Sequence, residues 1–319
     1  MKLILPIDVI DLLKPRLPAD VEAVWADADG NLKGGDASDA EIYFNGFYLK
    51  QSVLHRVLEA APNLRWQHTP SAGVDHILKS TKFLERQIIL TNSAGVYAIP
   101  IAEFVMMLIL NRAKQFPALR TRQAQRHWHQ EIGFTFQELV DATLLIIGAG
   151  SIGQAIADRA SAFGMRVWGS RSRPDPLPAF ERIVGRDEWR SVLPEADYVV
   201  VATPLTTDTI GMIDEAAFRS MRSTAYFINI ARGAVVNEPA LLTALKEGWI
   251  AGAGLDTFST EPLPAESSFW SLPNVVISPH CSGFSPQNDR RLVELFLDNL
   301  TRYRQGQPLK NVVDRQVGY

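Results

Sequence analysis

The run Gly148-Ala149-Gly150-Ser151-Ile152-Gly153 has the spacing G-x-G-x-x-G, which suits the binding of a dinucleotide pyrophosphate. The three glycines serve different ends, namely a tight turn, close backbone approach to the phosphates, and close helix–strand packing. The phosphates would sit on the N-terminus of the helix that Ser151 and Ile152 open, where free N–H groups and the dipole favour an anion. About twenty residues past the glycines, an NAD site places Asp or Glu to bind the ribose 2′-hydroxyl. This chain carries Ser170, Arg171, Ser172 and Arg173 there, with no acid until Asp175. A carboxylate would repel a 2′-phosphate, whereas two guanidiniums and two hydroxyls hold it by charge-assisted hydrogen bonds. The expected cofactor is therefore NADP, used as NADPH, with NAD the weaker alternative. The bland readings are a ligand-free glycine turn and a solvated basic turn.

These residues need strands and helices to place them. Short β-rich apolar runs alternate with helical segments, a pattern of parallel sheets with crossover helices. Strands are expected at 2–6, 22–25, 42–45, 64–69 and 88–91, with a helix over 51–60. A long apolar helix is expected from Ile99 to about Lys114, stopped before Pro117. Six more strands are expected at 143–147, 166–169, 198–203, 225–229, 252–256 and 275–278, with helices over 151–163 and 238–247. That second series matches a doubly wound nucleotide-binding domain. Leu292, Val293, Leu295, Phe296, Leu300 and Tyr303 recur at helical spacing, so 286–305 reads as one amphipathic helix.

Three further segments fall where strands of the second series end, the side on which doubly wound sheets bind ligands. They are Asn229-Ile230-Ala231-Arg232-Gly233, Gly254-Leu255-Asp256-Thr257-Phe258-Ser259-Thr260-Glu261-Pro262, and Ser278-Pro279-His280-Cys281-Ser282-Gly283. With Ser71-Ala72-Gly73-Val74-Asp75, Thr91-Asn92 and Ile101-Ala102-Glu103, they make the chain resemble the D-isomer-specific 2-hydroxyacid dehydrogenase family over nearly its whole length. The Ser170–Arg173 turn, the Pro-rich stretch after it and residues 314–319 look most like the glyoxylate/hydroxypyruvate reductases.

The resemblance implies an α/β fold of two doubly wound parallel-sheet domains. A Rossmann dinucleotide-binding domain, 97–282, is inserted into a discontinuous flavodoxin-like substrate domain, 1–96 and 283–319. It also implies hydride transfer between the nicotinamide cofactor and a small 2-keto acid, giving the D-2-hydroxy acid. The family's catalytic arginine, glutamate and histidine fall on Arg232, Glu261 and His280. Hydride delivery leaves negative charge on the ketone oxygen, and a histidine can supply the proton. Glu261 would orient the ring and favour imidazolium, while Arg232 would clamp the substrate carboxylate. The backbone of Ala72, Gly73 and Val74 would receive that carboxylate as well, Gly73 allowing close approach. Thr203, Pro204, Ile230, Ala231 and Ser282 would line the cofactor's path. Asp256 would contact the nicotinamide carboxamide, a plain loop cap being the alternative. Cys281 and Ser282 stand where the family often has an aliphatic residue and glycine, and Ala94 where it often has proline.

Bulk properties agree. The chain has 319 residues, 46% hydrophobic and 21% charged, enough for two domains of an ordinary globular protein. A net charge of -3 argues against a nucleic-acid partner. One cysteine excludes an internal disulfide and a cysteine zinc cage. With no signal-peptide pattern and no apolar run near membrane-span length, a cytoplasmic protein is expected. His127 and His129 flank Trp128 on an expected helix; a surface or interface cluster is the favoured reading over a metal site. The apolar run 104–110 and the aromatics near Trp128 suggest a homodimer. Rival readings are a dehydrogenase for a larger 2-keto acid and a dinucleotide-sensing corepressor. A phosphoglycerate dehydrogenase is disfavoured, since no regulatory domain follows Tyr319.

Overall fold

The computed structural model describes residues 1–46, 49–128, 133 and 135–318. The chain divides into two compact units, Met1–Tyr97 with Ser285–Tyr319, and Ala98–Phe284.

The first unit holds β1 (Lys2–Pro6), β2 (Glu22–Ala26), β3 (Leu32–Lys33), β4 (Ile42–Phe44), β5 (Trp66–His68) and β6 (Ile89–Thr91). Their order is β3-β2-β1-β4-β5-β6. Only the two-residue β3 runs antiparallel, on β2. Leaving β3 aside, the parallel strands follow the flavodoxin-like order 2-1-3-4-5. The central strands are buried on both faces, so they read as continuous apolar runs rather than alternating ones. Helix Gln51–Ala60 turns Val53, Leu54, Val57 and Leu58 inward. Helix Asn288–Arg304 does the same with Leu292, Val293, Phe296 and Leu300. Those four join Leu3, Leu5, Phe44 and Trp66 in one cluster, where Phe296 stacks on Phe44 with ring centres 4.7 Å apart. The last helix thus belongs to the unit that opens the chain.

The second unit holds β7 (Thr143–Ile147), β8 (Arg166–Ser170), β9 (Arg182–Val184), β10 (Tyr198–Val201), β11 (Tyr226–Asn229), β12 (Gly252–Leu255) and β13 (Val275–Ile277). All are parallel, in the order β13-β12-β11-β10-β7-β8-β9. This is the Rossmann order 3-2-1-4-5-6 with one more strand beyond the sixth. The sequence pattern missed β3 and β9, because Leu32-Lys33 and Arg182-Ile183-Val184 each include a charged residue and show no apolar run. Helix Ala98–Ala113 buries Val105, Met106, Leu108 and Ile109. Leu108 packs on the Cα of Gly254, where an added Cβ would come within 2.8 Å of its side chain. The apolar run 104–110 therefore serves mainly its own unit.

The expected helix around Trp128 is a correction. Helix Phe116–Ala124 ends before it. Arg126 takes a left-handed φ of 54°, which breaks the helix, and His127 and Trp128 follow in irregular backbone. His129 lies outside the described residues.

Candidate active site

The glycine turn follows β7. Gly148 has φ 108°, and a Cβ there would come within 2.7 Å of the Ala202–Thr203 backbone after β10. The turn therefore packs at the point where the strand order reverses, between β7 and β10. A Cβ on Gly153 would overlap the Gly148 carbonyl, so this glycine lets the helix approach the strand. The position a Gly150 Cβ would occupy is open, with no heavy atom within 4 Å. Gly150 caps helix Ser151–Ala162, Ser151 is exposed and Ile152 half-buried. Open space at a helix N-terminus, lined by a bare glycine backbone, fits a dinucleotide pyrophosphate.

Beside it, the Ser170 carbonyl accepts the N–H groups of Gly148 and Ala149 at 3.1 and 2.9 Å. The buried end of β8 is thereby tied to the glycine turn. Arg171 is half-buried, and Ser172 and Arg173 are exposed. Among the described residues, neither guanidinium has a hydrogen bond or ion pair. Both are available to an anion.

Arg232, Glu261 and His280 follow β11, β12 and β13, three adjacent parallel strands. Their loops therefore share the sheet edge that carries the glycine turn. Buried Asn229 shapes the first loop: its Oδ1 accepts the Ala231 N–H at 3.1 Å and its Nδ2 donates to the Arg232 carbonyl at 3.1 Å. Ile230 and Ala231 are buried in this turn, and Arg232 Nη1 donates to the Ala231 carbonyl at 2.8 Å. A Cβ on Gly233 would overlap the Phe258–Ser259 backbone, so only glycine lets this turn lie on the β12 loop. Glu238 adds a brace, accepting the Ser259 N–H at 2.6 Å.

Glu261 accepts the Phe258 N–H on Oε1 at 3.0 Å and places Oε2 2.9 Å from His280 Nδ1. The imidazole is 45% exposed, so its far nitrogen can be reached from solvent. The 278–282 loop hangs on Asp256, which is 1% exposed. Its Oδ1 accepts the Ser278 hydroxyl at 2.6 Å and the Cys281 N–H at 2.9 Å, and Oδ2 accepts the Ser282 N–H at 3.0 Å. Its main-chain carbonyl accepts the His280 N–H at 2.9 Å. In this structure Asp256 thus acts first as a loop organiser. Burial, with the Asp256 charge second, pushes the Cys281 thiol up, which disfavours the thiolate. Half-buried Thr203 and exposed Pro204 follow β10, and the Pro204 carbonyl accepts the Thr209 hydroxyl at 2.8 Å.

Ala72, Gly73 and Val74 belong to the first unit, past the end of β5. Asn92 Nδ2 donates to the Ala72 carbonyl at 2.8 Å. Asn229, Glu238, Ser278 and Asn92 escaped the sequence reading as site residues. For Asn229, Ser278 and Asn92 the available signal was a short polar residue at the end of an apolar strand, where it can bond the turning backbone, whereas Glu238 opens a helix and gave no such signal.

Residues 106–282 match the family described as D-isomer specific 2-hydroxyacid dehydrogenase, NAD binding domain. Glyoxylate reductase of Thermococcus kodakarensis is 38% identical over 280 residues, covering 84% of this chain and 82% of that one. Glyoxylate reductase of Korarchaeum cryptofilum is 37% identical over 276 residues, covering 82% and 79%. Among solved structures, a Xanthobacter autotrophicus D-isomer specific 2-hydroxyacid dehydrogenase in complex with NADPH and MES superposes with TM-score 0.88. It is 28% identical, with 100% of this chain and 99% of that one covered. NADPH-dependent glyoxylate/hydroxypyruvate reductase of Sinorhizobium meliloti, in complex with NADP and sulfate, gives 0.85 at 26% identity, covering 100% and 99%. The chain belongs to the D-isomer specific 2-hydroxyacid dehydrogenase family. It is a two-domain α/β oxidoreductase of the nicotinamide-dinucleotide class, and no described helix is long and apolar enough to cross a membrane.

Proposed function

We propose that this chain is an NADPH-preferring reductase that converts a small 2-keto acid, of the glyoxylate or hydroxypyruvate type, to its D-2-hydroxy acid. The observation that carries the reading is the imidazole–carboxylate pair, His280 with Glu261 at 2.9 Å, on the sheet edge of the glycine turn. The archaeal relatives are named for glyoxylate and the Sinorhizobium reductase for NADPH, which points the same way.

The nicotinamide supplies the hydride when bound. Gly148, Gly150, Ser151, Ile152 and Gly153 frame its pyrophosphate, and Ser170, Arg171, Ser172 and Arg173 take the 2′-phosphate. Thr203, Pro204, Ile230, Ala231, Asp256 and Ser282 line the rest of its path. Arg232 and the N–H groups of Ala72, Gly73 and Val74 hold the substrate carboxylate, and Arg232 polarises the carbonyl. His280 gives its proton to the ketone oxygen as charge develops there, and Glu261 keeps the ring oriented. In this reading Ala98–Phe284 is the dinucleotide domain and the other unit the substrate domain.

Steady-state rates with glyoxylate, hydroxypyruvate, pyruvate and phenylpyruvate, each with NADPH and NADH, test the proposal. Glyoxylate and hydroxypyruvate with NADPH are expected to be the best pairs. Activity confined to phenylpyruvate would move the substrate to larger 2-keto acids, and inactivity on all four would favour a dinucleotide sensor. We also propose a two-fold homodimer through the Ala98–Phe284 unit. Its support is the exposed set Met107, Phe116, Leu119 and Trp128, the last 93% exposed. A monomer mass by light scattering at micromolar concentration would contradict it.

A further inference from the structure

The C-terminal tail is bonded, through two asparagines, to the backbone that the proposed function gives to the substrate carboxylate. Asn299, fully buried in helix Asn288–Arg304, grips Lys310 from both sides, accepting its N–H at 2.7 Å and donating to its carbonyl at 3.0 Å. Beyond it, the Val313 N–H donates to the Leu90 carbonyl at 2.8 Å, and the Val313 side chain is buried in the core. The tail thereby covers the β6 edge, with Val312 bridging antiparallel to Thr91. Asn311 lies between these anchors at φ 55°, a conformation asparagine tolerates better than most residues. Its carbonyl accepts the Asn92 N–H at 3.1 Å, and its Nδ2 donates to the carbonyls of Ala94 at 2.9 Å and Asn92 at 3.3 Å. Buried Asn92 passes the constraint on: Nδ2 donates to the Ala72 carbonyl at 2.8 Å, and Oδ1 accepts the Ala94 N–H at 3.1 Å. The Ala72–Gly73 peptide is trans, so fixing its carbonyl aims the Gly73 N–H the opposite way.

We propose that Asn311 and Asn92 form a two-step relay by which the tail fixes the backbone of residues 72–74 and so sets affinity for the keto acid. The inference rests on reading that backbone as the seat of the carboxylate. Both asparagines are positioning residues: neither is assigned a contact with substrate.

Asn311→Gly is the test variant, because glycine keeps the left-handed backbone and removes only the side-chain bonds. Hydrogen exchange of the 71–78 segment should become faster, by about 3- to 10-fold, the scale of one lost hydrogen bond. KM for glyoxylate should rise by about the same factor while kcat stays within about two-fold and KM for NADPH is unchanged. Asn311→Asp, which sets a carboxylate against two carbonyl oxygens, should enlarge both effects. Unchanged exchange in both variants overturns the relay. Faster exchange with unmoved KM, in an enzyme that does reduce glyoxylate, overturns the link to substrate and the reading of residues 72–74 with it. If the parent reduces no keto acid, the proposed function fails and the exchange data still decide the relay.

Discussion

Glu261 divides its carboxylate, one oxygen holding the Phe258 N–H at 3.0 Å and the other standing 2.9 Å from His280 Nδ1. The first bond fixes the acid, so the second can fix the ring. Ketone reduction by a histidine acid needs imidazolium, while oxidation of the hydroxy acid needs neutral imidazole. Both directions therefore pass a proton through the ring that Glu261 holds. Glu261→Gln takes the charged partner from the ring, so turnover should fall by about 10- to 100-fold while KM for the cofactor stays unchanged. Steady-state rates of parent and variant in both directions check this, and parental turnover in the variant would count against it.

The free guanidiniums of Arg171 and Arg173 should set cofactor choice. If the two together contribute about 1.5–4 kcal/mol through charged hydrogen bonds, NADPH is preferred over NADH by roughly 10- to 1000-fold in kcat/KM. Arg171→Asp should weaken NADPH and spare NADH. Equal kcat/KM for the two cofactors in the parent would remove the basis for the preference.

The Asp256 carboxylate carries three hydrogen bonds to residues 278–282. Asp256→Asn would turn an N–H donor toward an N–H donor or the Ser278 hydroxyl and remove a buried charge that three donors satisfy. A loss of about 1–3 kcal/mol in unfolding free energy is expected, with lower turnover as the His280 loop loosens. Urea unfolding and steady-state kinetics report the two. A variant with parental stability and turnover would show that the loop is held by something else.

His68 is fully buried on β5, its Nδ1 2.8 Å from the Thr91 hydroxyl and its ring among Phe44, Trp66 and Phe296. Burial pushes its pKa down from 6.5 to about 3. Between those values the unfolded chain binds a proton that the folded chain refuses, so stability is present above about 6.5 and is lost as pH falls toward 3. The slope should be up to about 1.4 kcal/mol per pH unit. His68→Gln should flatten the fall in urea midpoint between about pH 6.5 and 4, and parallel curves for parent and variant would refute the assignment.

Much of this was legible because one residue type did one job. Strand β7 is an unbroken apolar run ahead of glycines, and both features follow from burial and close approach. The Arg232, Glu261 and His280 loops could be placed because each ends a strand that reads clearly. What the residues alone could not provide was register. That β12 lies beside β13, and so puts Asp256 under residues 278–282, is a property of the sheet. The Asn311–Asn92 bond joins positions 219 residues apart, with no local pattern to announce it. The helix expected around Trp128 failed on a left-handed Arg126, a conformation that arginine does not advertise.

His280 as the proton donor is the central assignment, and His280→Ala tests it most directly. Turnover of keto acid with NADPH should fall by about 10²- to 10⁴-fold, the usual scale for a positioned acid. NADPH affinity should change little, because the phosphates are assigned to the glycine turn and the Ser170–Arg173 turn. A His280→Ala enzyme with parental turnover would contradict the mechanism.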